Sequence, residues 1–291
     1  MTALAAPPSR TRRRRVVTFL VFFGALFLVW EAVKLLGGDP IFVDGEKVWD
    51  PPLKISIASD LNLPHVWSIV SALADPWRRS ADQSLLVFLG VKALYTWREA
   101  AIGFGLGTVI GIALAAAFVH SSLLERAFVP YVVASQTIPI VALAPMIVFF
   151  VGNDILAVVV VATYLTFFPV TIAMIRGLRS PEPRALELMR SYAASRRTIF
   201  WKLRMPASVP YLFTALKIAA TASIVGAIVG EGPGGVQNGL GRAILDFNQS
   251  YITGPEKLWA AIFVTALLGI TFYLLVRLAE VWYLRDRAPA T

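Results

Sequence analysis

Cysteine is absent from the 291 residues. That excludes disulfides, thiolate metal sites and cysteine nucleophiles, and leaves the compartment open. Histidine is almost absent too, with only His65 and His120, far apart and in different predicted loops. Charge is scarce: 15% of residues are charged and 57% hydrophobic, with a mean hydropathy of +0.68. A soluble domain carries about 25% charged residues. The long apolar runs do not alternate with period two, which argues against a membrane barrel. No nucleophile–base pair or metal cluster is visible, and no pair of intramembrane carboxylates is expected. The glycine-rich run GEGPGGVQNGLG (230–241) follows an apolar span rather than a strand and lacks the Gly-Lys-Ser/Thr of a phosphate loop. This chain cannot hydrolyse ATP by itself.

What is there is length in apolar runs. A helix crossing the hydrocarbon core needs about 20 mostly apolar residues, and six segments qualify: 16–36, 93–118, 128–151, 154–176, 209–230 and 257–279. The expected fold is all-α, a polytopic transmembrane bundle of about six spans. The basic start RTRRRRVVTFLVFF resembles a secretory leader, but its apolar core is long and GGDPIF is a poor cleavage site, so a retained signal-anchor is expected. With six spans and a cytoplasmic N-terminus, the inner segments (1–15, 119–127, 176–208 and the tail) hold 16 of the 27 Lys and Arg. The outer segment 37–92 holds five basic and seven acidic residues. This bias places both termini inside. It also accounts for the net charge of +9 without nucleic acid, since no basic patch interleaves with aromatics.

The chain divides into a basic N-terminus with the first span (1–36), an external connector with interfacial helices (37–92), a core bundle (93–284) containing the loop 177–208, and a tail (285–291). Trp67 and Trp77 are expected at headgroup depth. In the second span Gly103, Gly107, Gly111 and Ala115 recur every four residues; the fifth carries Ala215, Ala219, Ser223 and Ala227, with Ala222, Gly226 and Gly230 beside them. Such ridges pack helices within one chain, or the second ridge of the fifth span meets another subunit. The third span contains Pro130, Pro139 and Pro145, each a bend. Ser135, Gln136 and Thr137 precede Pro139 and are candidates, with Ser223, to line a path; Gln136 can equally serve as an interhelical hydrogen bond. Lys217 is expected to snorkel to the cytoplasmic interface. Glu31 with Lys34, and Arg277 with Glu280, are expected to pair locally.

The longest charged insert reads RGLRSPEPRALELMRSYAASRRTIFWKLRMPAS (176–208), with eight basic residues and two acidic. Pro181 and Pro183 mark a helix start, and Pro206 limits its continuation. Leu186, Met189 and Ala193 share one face, rimmed by Arg190, Arg196 and Arg197. A short helix with an apolar stripe and a basic rim suits a groove on a partner. A basic connector serving topology alone is the plainer alternative.

The stretch ALELMRSYAASRRTIFWKLRMPASVPYLFTALKIA resembles the coupling-loop signature of binding-protein-dependent ABC importer permeases. That signature has Glu-Ala-Ala, a Gly four residues on, then an apolar residue and Leu-Pro. Here Glu187 holds the Glu position, Leu188 and Met189 stand for the alanines, Ala193 for the glycine, Ile199 for the apolar residue, and Met205-Pro206 for Leu-Pro. The blocks TWREAAIGFGLGTVIGIALA, ERAFVPYVVASQTIPIVALAPMIVFFVG and GLGRAILDFNQSYITGPEKLWAAI extend the resemblance from about residue 66 to the end. Their order is most similar to the nitrate, sulfonate, taurine and thiamine-precursor branch.

The resemblance implies a type I ABC importer permease of MetI-like architecture in the bacterial cytoplasmic (inner) membrane. It is not itself an enzyme and has no cofactor of its own, because ATP is bound by a partner subunit. Its implied partners are cytoplasmic ATPase subunits, an extracytoplasmic solute-binding protein and a second permease copy or paralogue. Glu187, Leu188, Met189, Arg190, Ala193, Ala194, Ser195, Ile199 and Pro206 would then meet the ATPase. Asn248, Gln249 and Tyr251 would face the binding protein as docking or entry groups, and a structural loop accounts for them equally. A stand-alone channel or ion-coupled carrier is the alternative class, and the solute is not readable from the residues.

Overall fold

Backbone polar groups have no water to bond in hydrocarbon, so a spanning segment must satisfy them within itself. The computed structural model accordingly is mainly helical; it describes residues 9–43, 46–78, 80–152, 154–232 and 236–285. They divide into two compact units: the chain up to Leu85 with Phe247–Ala260, and Leu86–Asp246 with the chain from Ala261 on.

In the first unit, α1 (Ser9–Gly37) leads to an antiparallel pair, β1 (Ile41–Val43) and β2 (Glu46–Trp49), which are the only strands among the described residues. A 3-10 turn at Ser56–Ala58 and α2 (Val66–Ala72) follow. The expected Glu31–Lys34 pair does not form. Buried Glu31 instead accepts from the backbone N–H of Val66 at 2.9 Å and meets His65 Nδ1 at 2.7 Å. Lys34, 1% exposed, donates to the carbonyl of Ala58 and to Asp60. Each charge holds the connector against α1, which solves its own burial problem better than a partner one turn away on the same helix. Trp67 stacks on His65 with centroids 4.0 Å apart, and Arg78 lies over Trp77. Among the described residues of the connector, α-helix is found in α2 and in the first turns of the helix that begins at Leu85.

The second unit is built from α3 (Leu85–His120, its first residue belonging to the first unit), α4 (Ser122–Ser135), α5 (Ile140–Val151), α6 (Ile155–Leu178), α7 (Pro183–Ser191), α8 (Arg196–Ile199), α9 (Met205–Glu231), α10 (Leu240–Gln249) as far as Asp246, and α11 (Pro255–Leu284) from Ala261 on. Among the described residues five helical stretches are long and apolar enough to span: Leu20–Gly37, Leu85–His120, Ile155–Leu178, Arg196–Glu231 and Pro255–Leu284. The expected third span is instead α4 and α5, bent by 99° across the break at 136–139, a sixth crossing if the pair is one span. Only Pro139, at the N-cap of α5, sits at the break; Pro130 and Pro145 are carried inside their helices. Ser121 caps α4 by accepting from Leu124 N–H, and Asp154 caps α6 by accepting from Ile155 N–H, as side-chain oxygens do at free helix starts.

Helix α6 is the hub, with Ala157, Val158, Val161, Ala162, Thr166 and Val170 all buried. The stripe on α3 lands on it: a Cβ built on Gly103 would come 2.4 Å from Ala162 Cβ, one on Gly107 2.6 Å from Thr166 Cβ, and one on Gly111 2.8 Å from Phe167 O. The second ridge of the fifth span lands there too, Gly226 against Ala162 Cα (2.7 Å) and Gly230 against Val158 Cα (3.0 Å). Both ridges therefore serve packing within the chain, where close backbone approach is what attracts helices in lipid. Lys217 of α9 does not snorkel. Its ammonium donates to both carboxylate oxygens of Glu280 on α11, at 2.7 and 2.9 Å, and takes the partner expected for Arg277. Pairing across two spans removes two half-buried charges at once.

Candidate functional site

Helix α6 ends at Leu178, and the chain turns through Arg179 and Ser180 into α7, whose first turn begins on Pro183. Proline costs nothing there, because the first N–H groups of a helix have no intrahelical acceptor. Leu186 and Met189 are half-buried, turned toward the body of the chain. Leu188 is 58% exposed and Tyr192 79%. The outward apolar face is thus Leu188 and Tyr192, four residues apart, and not the expected Leu186–Met189–Ala193 stripe. Glu187 and Arg190 are exposed, and among the described residues Glu187 forms no ion pair.

Ala193 lies outside the helix with φ of 52°, the one non-glycine residue at positive φ among those described. An L side chain resists this left-handed conformation, and glycine does not. It is the position at which the resembling signature carries glycine, so its requirement is a turn rather than helix propensity. Ala194 follows, and Ser195 starts the next helix by accepting from Thr198 N–H. From Arg196 the helix runs through α8 and a π-helical turn at Phe200–Arg204 straight into α9. Pro206 therefore does not end the insert. It occupies the first turn of α9, and the π turn just before it accommodates the missing N–H. Ile199 is buried. Arg179 and Glu125 form an ion pair that ties the end of α6 to the start of α4.

At the 99° elbow, Tyr164 of α6 donates to the carbonyl of Ser135. The hydroxyls of Ser135 and Thr137 bond back to Val132 O (2.8 Å) and Ala134 O (2.7 Å). Gln136 keeps a free donor: its Nε2 is shut off from solvent and has no hydrogen-bond partner among the described residues. Ser223, fully buried, donates to Ala220 O and reaches no open surface. The open surface of α9 is a different stripe, Tyr211, Thr214, Ile218, Thr221 and Val225. Its inner half and α6 border a cavity of about 650 Å³ lined by Phe168, Ile172, Arg176, Tyr211, Thr214 and Ile218. Rows spaced by three or four on each helix make its two walls, a pattern present in the sequence but masked by the surrounding apolar residues.

At the other end of α9 lies a carboxyl pair that contradicts the expectation of none. Glu231 (0% exposed) and Glu99 of α3 (4%) lie close enough to share a hydrogen bond. Glu231 Oε2 accepts from Gly241 N–H at 2.6 Å, and Thr96 Oγ1 accepts from Leu240 N–H at 2.8 Å. Two spans thus cap the first turn of α10. Gly239, at φ +93°, lets the turn pass the carboxyl, for a Cβ there would come 2.1 Å from Glu231 Cδ. Glu231 Oε1 and Glu99 Oε2 have no donor. In the first unit, Asn248 and Gln249 are exposed, while Tyr251 is half-buried with its hydroxyl 3.5 Å from Asn62 O. Among the described residues no group of three metal-ligating side chains occurs.

The family described as binding-protein-dependent transport system inner membrane component matches residues 107–283. The formylaminopyrimidine transport permease protein ThiX of Halalkalibacterium halodurans is 38% identical over 182 residues, 62% of this chain and 70% of that protein. The nitrate import permease protein NrtB of Leptolyngbya laminosa is 27% identical over 94% of this chain and 89% of its own. Among solved structures, the inward-facing MetNI methionine ABC transporter is similar at 19% identity and a TM-score of 0.47, over 66% of this chain and 94% of that one.

Proposed function

Since the chain belongs to the binding-protein-dependent transport system inner membrane components, and so is a multi-pass permease subunit of an ABC importer, we propose that the turn from Arg179 to Ser195 is where a separate cytoplasmic ATPase grips it. One observation carries this reading. A nine-residue helix and its C-cap present Leu188 and Tyr192 outward, beside a Glu187 that forms no ion pair among the described residues. An unpartnered apolar pair with an unspent carboxylate suits a groove that supplies both apolar wall and donors. Glu187, Leu188 and Tyr192 form the contact; Met189, Arg190, Ala194 and Ile199 brace it from behind; Ala193, Ser195 and Pro206 shape the chain into and out of the turn.

The rest of the assignment follows the same orientation. The basic bias puts both termini and this turn in the cytoplasm of a bacterial inner membrane. ATP binds and is hydrolysed on the partner, and closure of two ATPase subunits rocks the spans attached to two such turns. The second permease is a copy or a paralogue. We assign the solute's route to the open stripe of α9 and to the elbow, with Gln136 offering its free amide and Ser135 and Thr137 beside it. Ser223 joins that route only in a state that parts α9 from its packing. Asn248, Gln249 and Tyr251 meet the solute-binding protein outside. The solute is a small nutrient of the kinds named for the relatives, such as a formylaminopyrimidine or nitrate. A stand-alone channel or ion-coupled carrier has no use for an ATPase-facing turn.

The absence of cysteine makes every introduced cysteine unique, so Leu188→Cys and Tyr192→Cys should crosslink to the ATPase in membranes of the assembled transporter. Glu187→Lys should insert normally but lose uptake at least tenfold while ATPase activity persists. Normal uptake by Glu187→Lys, or crosslinks that never reach a nucleotide-hydrolysing subunit, would defeat the assignment.

A further inference from the structure

Behind the α7 turn lies a second cavity, of about 600 Å³, whose walls come from the end of α3, the start of α4, α7 and the first turns of the α8–α9 rod. Its charged lining is of one sign: Arg190, Arg196 and Arg204, with His120 beside them and no carboxylate. Among the described residues none of these three arginines forms an ion pair, and the nearest acid of α4, Glu125, is spent on Arg179. Arg204 lies within electrostatic reach of both Arg179 and Arg190. The His120 ring is fixed rather than loose: its Nδ1 bonds Ala116 O at 2.7 Å, and the ring packs 4.9 Å from Phe200. Like charges gathered around a hollow repel one another unless an anion sits among them. Guanidinium groups present forked donors matched to the oxygens of a phosphate, and the volume falls in the ~300–1,000 Å³ range of small-ligand sites.

The pocket also has a definite depth. His120 closes α3 just where that span ends, Arg196 opens the next, and the neighbouring Trp201 is 59% exposed, as aromatic residues are at the headgroup boundary. We propose that this arginine pocket binds one phosphate-bearing anion, the head group of a membrane phospholipid or free phosphate, and that the anion holds the α7 turn against α3. The acidic side chains of a protein partner are the less suitable occupant. The pocket lies behind α7, on the side of half-buried Leu186, whereas the surface offered to a partner is that of Leu188 and Tyr192.

The test uses the purified full chain in nanodiscs of phosphatidylcholine, with no ATPase present, so its failure leaves the permease assignment standing. One arm adds phosphatidylglycerol to the disc lipid; the other adds inorganic phosphate to the buffer at constant ionic strength. Readouts are the melting midpoint and native mass spectrometry of what the chain retains. A saturating rise in midpoint with one retained phosphatidylglycerol identifies the lipid; the same rise with phosphate in neutral discs identifies the free ion. Apparent affinity should fall roughly fivefold for each arginine removed, so Arg190→Gln/Arg204→Gln loses about 25-fold. Arg197→Gln, adjacent but outside the lining, should stay within about twofold. No response of the unaltered chain to either anion, or an equal loss in the Arg197→Gln control, overturns the proposal.

Discussion

Ala162 is pinched between glycines on two different helices, and the two contacts differ in kind. Gly103 of α3 faces the Ala162 side chain, whereas Gly226 of α9 faces its backbone. A methyl added at Gly103 would start 2.4 Å from Ala162 Cβ, with Thr163 N and Val159 O each at 3.1 Å. Apolar carbons rest about 3.5–4.0 Å apart, so α3 and α6 would have to part by about 1 Å. Overpacking of this order costs about 1–3 kcal/mol. At Gly226 the obstacles are Ala162 Cα at 2.7 Å and Ala162 N and Val161 O at 3.2 Å, and no substitution at 162 removes them. The prediction is therefore asymmetric. Ala162→Gly should recover about 1–2 kcal/mol in combination with Gly103→Ala and almost nothing with Gly226→Ala, beyond its own helix penalty of about 1 kcal/mol. Reversible unfolding of the purified chain in mixed detergent, with both double-mutant cycles, measures this. Equal rescue of the two alanines, or a Gly103→Ala chain that unfolds like the parent, would refute the packing argument.

Two further outcomes follow from the turns. Ala193→Gly should stabilise, because relief of a left-handed alanine is worth roughly 1–2 kcal/mol against about 0.5–1 kcal/mol of added chain entropy; slower hydrogen exchange across 190–195 checks it, and faster exchange contradicts it. Glu231→Ala leaves the N–H of Gly241 without its acceptor and should destabilise by about 1–3 kcal/mol. Glu231→Gln keeps a carbonyl for Gly241 and gains a donor for Glu99, and should melt within a few degrees of the parent.

Much of this was legible before any coordinates. Span positions follow from runs of apolar residues, and the glycine stripes announced close contact, since a row every four residues can only be one helix face. Periodicity did not say which face of α7 turns outward. Leu186 and Met189 and the pair Leu188 and Tyr192 are both apolar rows, and only the docking of the loop on the bundle separates them. The Glu99–Glu231 pair was hidden for a related reason: each carboxylate sits alone in its own span, and nothing local records that α3 and α9 bring them together. Lys217 shows the same blindness, because its partner lies on α11. The π turn before Pro206 leaves no mark in the sequence, because a proline one turn into a helix and a proline after a loop look alike there.

From Arg196 to Glu231 the chain is a single helical rod of 36 residues, about 54 Å at 1.5 Å per residue. Its foot is the turn that shows Leu188 and Tyr192, and its head is the carboxyl that seats the first turn of α10. A stiff lever of this length tilting about its midpoint by about 10° moves its two tips in opposite directions by about 5 Å. Whatever pushes the foot therefore moves the far mouth without any relay of side chains between them.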